Sequence, residues 1–163
     1  MPKYIRSYTK GAFYFFTLIS YNRRKIFCEE YFLKAFKNSI RQIQHQYPFE
    51  IIAWVQLPDH FHCIWQMPEN DADYSMRWSQ IKRLTTQACP HYHLTTDELN
   101  LSEVKRNERG IWQRRFLEHQ IRNESDFIKH MDYIHYNPIK HGLVERVTDC
   151  EYSSFHRCVR KGF

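Results

Sequence analysis

Apolar and polar positions divide the chain into blocks with two different periods. Ala12 to Ser20 is an aromatic and β-branched run and predicts a strand. From Glu29 to Gln46, Phe32, Phe36, Ile40 and Ile43 recur at helical spacing and place one face inward, and Pro48 ends the helix. Glu50 to Leu57 and Phe61 to Met67 read as two more strands, joined through the Pro58-Asp59 turn as an antiparallel hairpin. Ser75 to Ala88 predicts a second helix, with Trp78, Ile81 and Leu84-Thr85 facing inward. Pro90 to Arg109 is polar and irregular and reads as a loop, after which Ile111 to Ile121 is expected to contain the fourth strand. Asn123 is a fitting N-cap for a last helix, with Glu124 and Asp126 in its first turn. Phe127, Met131 and Ile134 form its apolar stripe, and Pro138 places its end near Asn137. A basic tail follows from about residue 140.

The order β-α-β-β-α-β-α fits an α+β, ferredoxin-like (RRM-like) sandwich: a central antiparallel sheet with an added C-terminal helix. In that layout strands one and three lie at the sheet centre, with one face covered by helices and the other free. Size predicts one domain over residues 1–163, because the chain has 163 residues, no internal repeat and no Ser/Gly-rich linker. No apolar run approaches the roughly 18 residues a membrane helix needs. Met1-Pro2-Lys3-Tyr4-Ile5-Arg6 lacks the apolar stretch of a signal peptide. The 5 cysteines have no CxxC spacing, which suggests reduced thiols and a cytoplasmic protein.

Charge sharpens the picture through its distribution. The net charge of +6 alone is compatible with nucleic acid and with many basic proteins that bind none. Lys105, Arg106, Arg109, Arg114, Arg115 and Arg122 crowd one stretch, Arg157, Arg160 and Lys161 another, and Arg23-Arg24-Lys25 follow the first strand. Trp112, Phe116, Tyr152 and Phe155 sit among them. Cations for phosphates with rings for bases is the pattern of single-strand binding, although any one cluster is equally well a solvated basic loop.

The candidate chemistry lies in two places. In the strand after Pro58-Asp59, His60 and His62 point to one face while Phe61 and Cys63 point to the other. By spacing alone the pair is half of a metal site or two unrelated histidines. On the last helix Asp126, His130, Tyr133 and Asn137 fall on one polar stripe. That stripe could face a metal-bound phosphate, or its Tyr and His could simply lie half-buried at the helix flank. His119, beside Glu118 in the presumed fourth strand, and His130, one turn before Tyr133, are candidates for a supporting shell. His91, His93, His135 and His141 read as ordinary exposed histidines, and His45 and His156 are uninformative.

Several motifs together carry a resemblance. They are Leu57-Pro58-Asp59-His60-Phe61-His62, Trp112-Gln113-Arg114-Arg115-Phe116, Glu118-His119, Asp132-Tyr133-Ile134 and Asn137-Pro138-Ile139-Lys140-His141-Gly142. In this order they resemble the REP-associated tyrosine transposases, relatives of the single-tyrosine insertion-sequence transposases within the His-hydrophobic-His endonucleases. The likeness runs from Tyr4 to about His156. It implies a metal-dependent single-strand DNA endonuclease and strand transferase that cleaves and rejoins hairpin-bearing, REP-like DNA through a covalent 5′-phosphotyrosine. Tyr133 would be the nucleophile, and Tyr136, about 60° further round the helix, its rival. His60 and His62 would hold a divalent ion, Mg²⁺ or Mn²⁺, with Asn137 where the insertion-sequence relatives carry a glutamine. Arg6, Lys10, Arg114, Arg115, Arg122, Lys140 and Arg157 would contact DNA. Tyr4 to Lys10 and Tyr152 to Arg160 would hold the single-stranded foot of the hairpin. The expected partner is single-stranded DNA with hairpins, with no membrane and no small-molecule substrate, and with the protein as a monomer or a homodimer. Two other classes stay open: a non-catalytic nucleic-acid-binding module on the same fold, and a metal-dependent hydrolase without a covalent intermediate.

Overall fold

The computed structural model describes residues 5–163, so Tyr4 and the stretch before it lie outside the described residues. The elements are β1 (Phe13–Ile19), α1 (Glu30–Gln46), β2 (Glu50–Gln56), β3 (His60–Gln66), α2 (Tyr74–Ala88), α3 (Leu101–Lys105), β4 (Leu117–Gln120), α4 (Glu124–Lys140) and α5 (Phe155–Arg160). The sheet is antiparallel throughout, in the order β2-β3-β1-β4, which is the ferredoxin-like arrangement with β1 and β3 at its centre.

The alternation along β3 builds two cores. Phe61, Cys63 and Trp65 face α1 and α2 and join Phe16, Phe36 and Trp78 in an aromatic core. Ile64, on the histidine side, joins Ala53, Val55, Met131, Ile134 and Cys158 in a second core. The register is closed by Ile19 opposite His60 and Thr17 opposite His62.

The second core corrects the expectation of a free sheet face. Its apolar side chains on β2 and β3 need cover, and α4 and α5 lie across them. The histidines are therefore buried, at 6% exposure for His60 and 4% for His62. The end of α4 also differs from expectation. The helix runs through Pro138 to Lys140, because proline in the last turn forfeits only one backbone bond. His141 N–H donates to Asn137 O and Leu143 N–H to Pro138 O, and the Pro138 ring is buried.

The basic tail is not loose. Gln56 N–H donates to Tyr152 O and Trp54 N–H to Ser154 Oγ, which docks the segment before α5 on the β2 edge. The stretch expected to be an irregular loop contains α3, closed by a capping box between Asn100 and Glu103. Side chains from elsewhere tie this stretch down. Arg24 Nη1 donates to the carbonyls of Tyr92 and Gly110, at 2.8 and 2.6 Å, and Tyr21 OH donates to Glu103 Oε2. Gly110 is buried at φ +75°, a conformation that only glycine adopts without strain.

Candidate active site

The site is built where the start of β3 meets the last turns of α4. His60 Nδ1 lies 2.7 Å from Asp59 Oδ1. Burial alone would raise the Asp59 carboxyl, but the His60 hydrogen bond and the charges of His60 and Arg23 outweigh it and hold it below the usual carboxylate range. Asp59 thus fixes the His60 ring with Nε2 directed at α4, the role carboxylates play behind metal-binding histidines. His62 Nδ1 lies 2.8 Å from Thr17 Oγ1, on the neighbouring strand. Burial, then the nearby charges of His60, His141, Lys140 and Arg23, push His62 down to about 3. It is neutral at ordinary pH. In the tautomer whose Nδ1–H donates to Thr17 Oγ1, its Nε2 lone pair is free.

Helix α4 delivers the other half. Asn137 is 1% exposed, and its Oδ1 lies 3.2 Å from His60 Nε2. When His60 carries only the Nδ1–H that faces Asp59, it aims one lone pair at another across this contact. Two buried acceptors facing each other call for a proton or a cation between them. Asn137 Nδ2 is also buried and has no hydrogen-bond partner among the described residues. This donor set, two imidazole nitrogens and an amide oxygen, fits a divalent cation.

Tyr133, one turn before Asn137, is 39% exposed with its ring edge-on to His62 at 5.2 Å between centroids. The Lys140 ammonium sits 5.3 Å over the Tyr133 ring. Phe15 lies between Tyr133, His62 and His130 and sets their spacing. Tyr136 is more exposed and has no ring contact with either histidine among the described residues.

His130 and His119 form a separate cluster beside this site. Asp126 Oδ2 is 2.8 Å from His119 Nε2, and Asp126 Oδ1 is 3.2 Å from His130 Nδ1. The two rings stack at 4.7 Å, clamping β4 to α4. His119, Asp126 and His130 are also close enough to one another to hold a metal ion. Neither histidine hydrogen-bonds Tyr133 among the described residues.

The other candidates scatter. Lys10, Arg114, Arg115, Arg122 and Lys140 are exposed. Arg6 donates to Phe116 O and stacks 3.9 Å over the Phe116 ring, with Glu118 beside it. Arg157 donates to the carbonyls of Ile51 and Ile52, so it anchors α5 to β2. Sequence reasoning missed Asp59, Thr17 and Phe15, which shape the site without belonging to its polar stripe. It also set aside His141, whose ring lies 4.9 Å from that of His60. Only the register of β1 on β3 could have nominated Thr17.

The model of the family described as "Transposase IS200 like" matches residues 9–137. A Haemophilus influenzae protein assigned to the REP-associated tyrosine transposases is 44% identical over 160 residues, covering 98% of this chain and 89% of its own. The REP-associated tyrosine transposase of Escherichia coli K12 is 42% identical over 163 residues, covering 99% of this chain and 87% of its own. A solved structure of a REP-associated tyrosine transposase bound to a REP hairpin superposes with a TM-score of 0.81 at 41% identity, over 99% of this chain and 87% of that one.

Proposed function

Because the chain belongs to the REP-associated tyrosine transposases, within the IS200-like transposase family, we propose that it cleaves and rejoins single-stranded DNA beside REP-like hairpins, using Tyr133 as the nucleophile. The observation that carries this reading is the meeting of His60 Nε2 with Asn137 Oδ1, with the His62 ring beside that of His60 and against Tyr133, one helical turn from Asn137.

His60, His62 and Asn137 would hold a divalent ion, with Asp59 and Thr17 fixing the two imidazoles. Mn²⁺ accepts nitrogen ligands more readily than Mg²⁺, so both ions are expected to support activity, with Mn²⁺ the better bound. When bound, the ion polarises the phosphoryl oxygens of the scissile phosphate. Tyr133 Oη bonds to phosphorus and gives up its proton, and the bond to the 3′ oxygen breaks as that oxygen takes a proton. The products are a 5′-phosphotyrosine and a free 3′-hydroxyl. Attack by the 3′-hydroxyl of another strand reverses the step, so the same residues cut and join without an external energy source. Lys140, over the Tyr133 ring, can reach a phosphate oxygen. The exposed cations Arg114, Arg115 and Arg122 can follow the hairpin backbone without reading sequence.

Cytoplasmic localisation is part of this reading, as is action as a monomer or homodimer. Among the described residues no helix is long and apolar enough to cross a membrane. The test is incubation of end-labelled hairpin oligonucleotides with Mg²⁺ or Mn²⁺, followed by a denaturing gel. A protein–DNA adduct carrying the 5′ phosphate is expected. Hydrolysis without an adduct would support the non-covalent alternative.

A further inference from the structure

On the other side of the sheet end from the histidines, α2 and residues 107–114 enclose an open pocket of about 420 Å³. Its cations are Lys82, Arg83, Arg109 and Arg114, with Trp112 among the lining side chains. The one acid lining it, Glu108, is already paired with Arg106 at 2.7 Å. Arg83 is occupied by Gln80 and Gln87, while the guanidinium groups of Arg109 and Arg114 are exposed, with no hydrogen bond among the described residues.

Lys82 points to what the pocket takes. An ammonium has three N–H donors. Two of them reach Gln113 O and Arg114 O at 3.2 and 3.3 Å, and the third has no acceptor among the described residues. Burial pushes Lys82 down to about 8, which leaves it mostly charged at neutral pH, and an anion beside it would raise it again.

The pocket also lies on a path from the active site. Ile19 pairs with His60, and the next residue, Ser20, bridges to Trp112 on the opposite side of β1. Two strand spacings, about 10 Å, therefore separate the backbone at His60 from the backbone at Trp112. Exposed Gln113, Arg114 and Arg115 follow Trp112 along this end of the sheet.

We propose that this pocket binds a nucleotide of the single-stranded DNA flanking the cleaved hairpin, with Lys82 and Arg109 on its phosphate. The proposal rests on the function given above and assigns a role to the segment between α2 and β4. Arg24 ties that segment down at the Tyr92 and Gly110 carbonyls.

The test measures affinity for a hairpin with a single-stranded flank on its 5′ side, on its 3′ side, or on neither, at three salt concentrations. Arg109→Gln, at an exposed position, and Lys82→Gln are compared with the unmodified protein and with Lys34→Gln/Lys37→Gln on α1. Each pocket variant is expected to bind one flanked hairpin several-fold more weakly. Its salt dependence should be shallower by roughly 0.7 log units per decade for each phosphate that the variant no longer neutralises. Binding of the flankless hairpin should match the unmodified protein, and the α1 variant should show no flank-specific loss. Arg109→Gln keeps the test valid if Lys82→Gln fails to fold. Equal losses on flanked and flankless hairpins, or no loss on either flanked one, would overturn the pocket assignment while leaving the function standing. Failure of the unmodified protein to bind any hairpin would overturn both.

Discussion

Acid should unfold the metal-free protein through His62, by an amount that can be worked out in advance. Its imidazole is held neutral down to about 3 by burial and by the cations around it, whereas in the unfolded chain it titrates near 6.5. Between those values the unfolded chain binds a proton that the folded one does not, so stability must fall as pH falls. The contribution is complete above about pH 6.5 and shrinks by about 1.4 kcal/mol per unit below it. At pH 5 the loss from this one residue is about 2 kcal/mol, a large share of the ~5–15 kcal/mol that holds a typical domain together. The figure depends little on the exact folded-state value, because pH 5 lies well above it. Replacing His62 by Gln removes the titration at similar volume. Urea unfolding followed by tryptophan fluorescence, with chelator present, at pH 7.5 and pH 5, gives both stabilities. The unmodified protein should lose about 2 kcal/mol more than His62→Gln between the two conditions. Equal losses would mean that His62 is not held neutral by its surroundings, and the case for a free Nε2 would fail with it.

Three further outcomes are expected. Tyr133→Phe should eliminate the covalent adduct yet change hairpin affinity less than about twofold, since the ring and every cation remain; loss of the adduct on Tyr136→Phe instead would reassign the nucleophile. Asn137→Ala should shrink the Mn²⁺-dependent rise in melting temperature, because it removes the amide oxygen that lies beside His60 Nε2. Asn137→Gln should keep most of that rise. Gly110→Ala should cost about 1–3 kcal/mol by thermal melt, since the backbone is at positive φ and the added methyl would overlap the Leu94 side chain.

The strands and the α1, α2 and α4 helices are legible because each has a clear period and a punctuating residue: Pro48 after α1, Asn123 before α4. Sheet order follows from element order. Hidden from the period is what covers the second face. The apolar stripe of Phe127, Met131 and Ile134 is plain in the sequence, but nothing in it says which surface it meets. The Ala53, Val55 and Ile64 side chains supply that surface. The rule that proline ends a helix misplaces the end of α4, because tertiary burial of Pro138 offsets one missing hydrogen bond. The capping box at Asn100 and Glu103 is readable and marks α3 inside the supposed loop. The histidine pair and Tyr133 stand out by type. Their supports do not, since Asp59, Thr17 and Phe15 take their places only through strand register and packing.

The alternation of β3 also guards the chemistry. Sliding this strand by one residue would drive His60 and His62 into the aromatic layer under α1 and α2 and turn Phe61, Cys63 and Trp65 toward Asn137. Such an error would bury two unpaired imidazoles and discard the packing of two tryptophans at once. A chain paired in the wrong register therefore loses its aromatic core and its site together. The largest apolar side chains act as a proofreading key for the smallest functional feature, and a molecule that has closed its core has, by the same act, aligned its histidines.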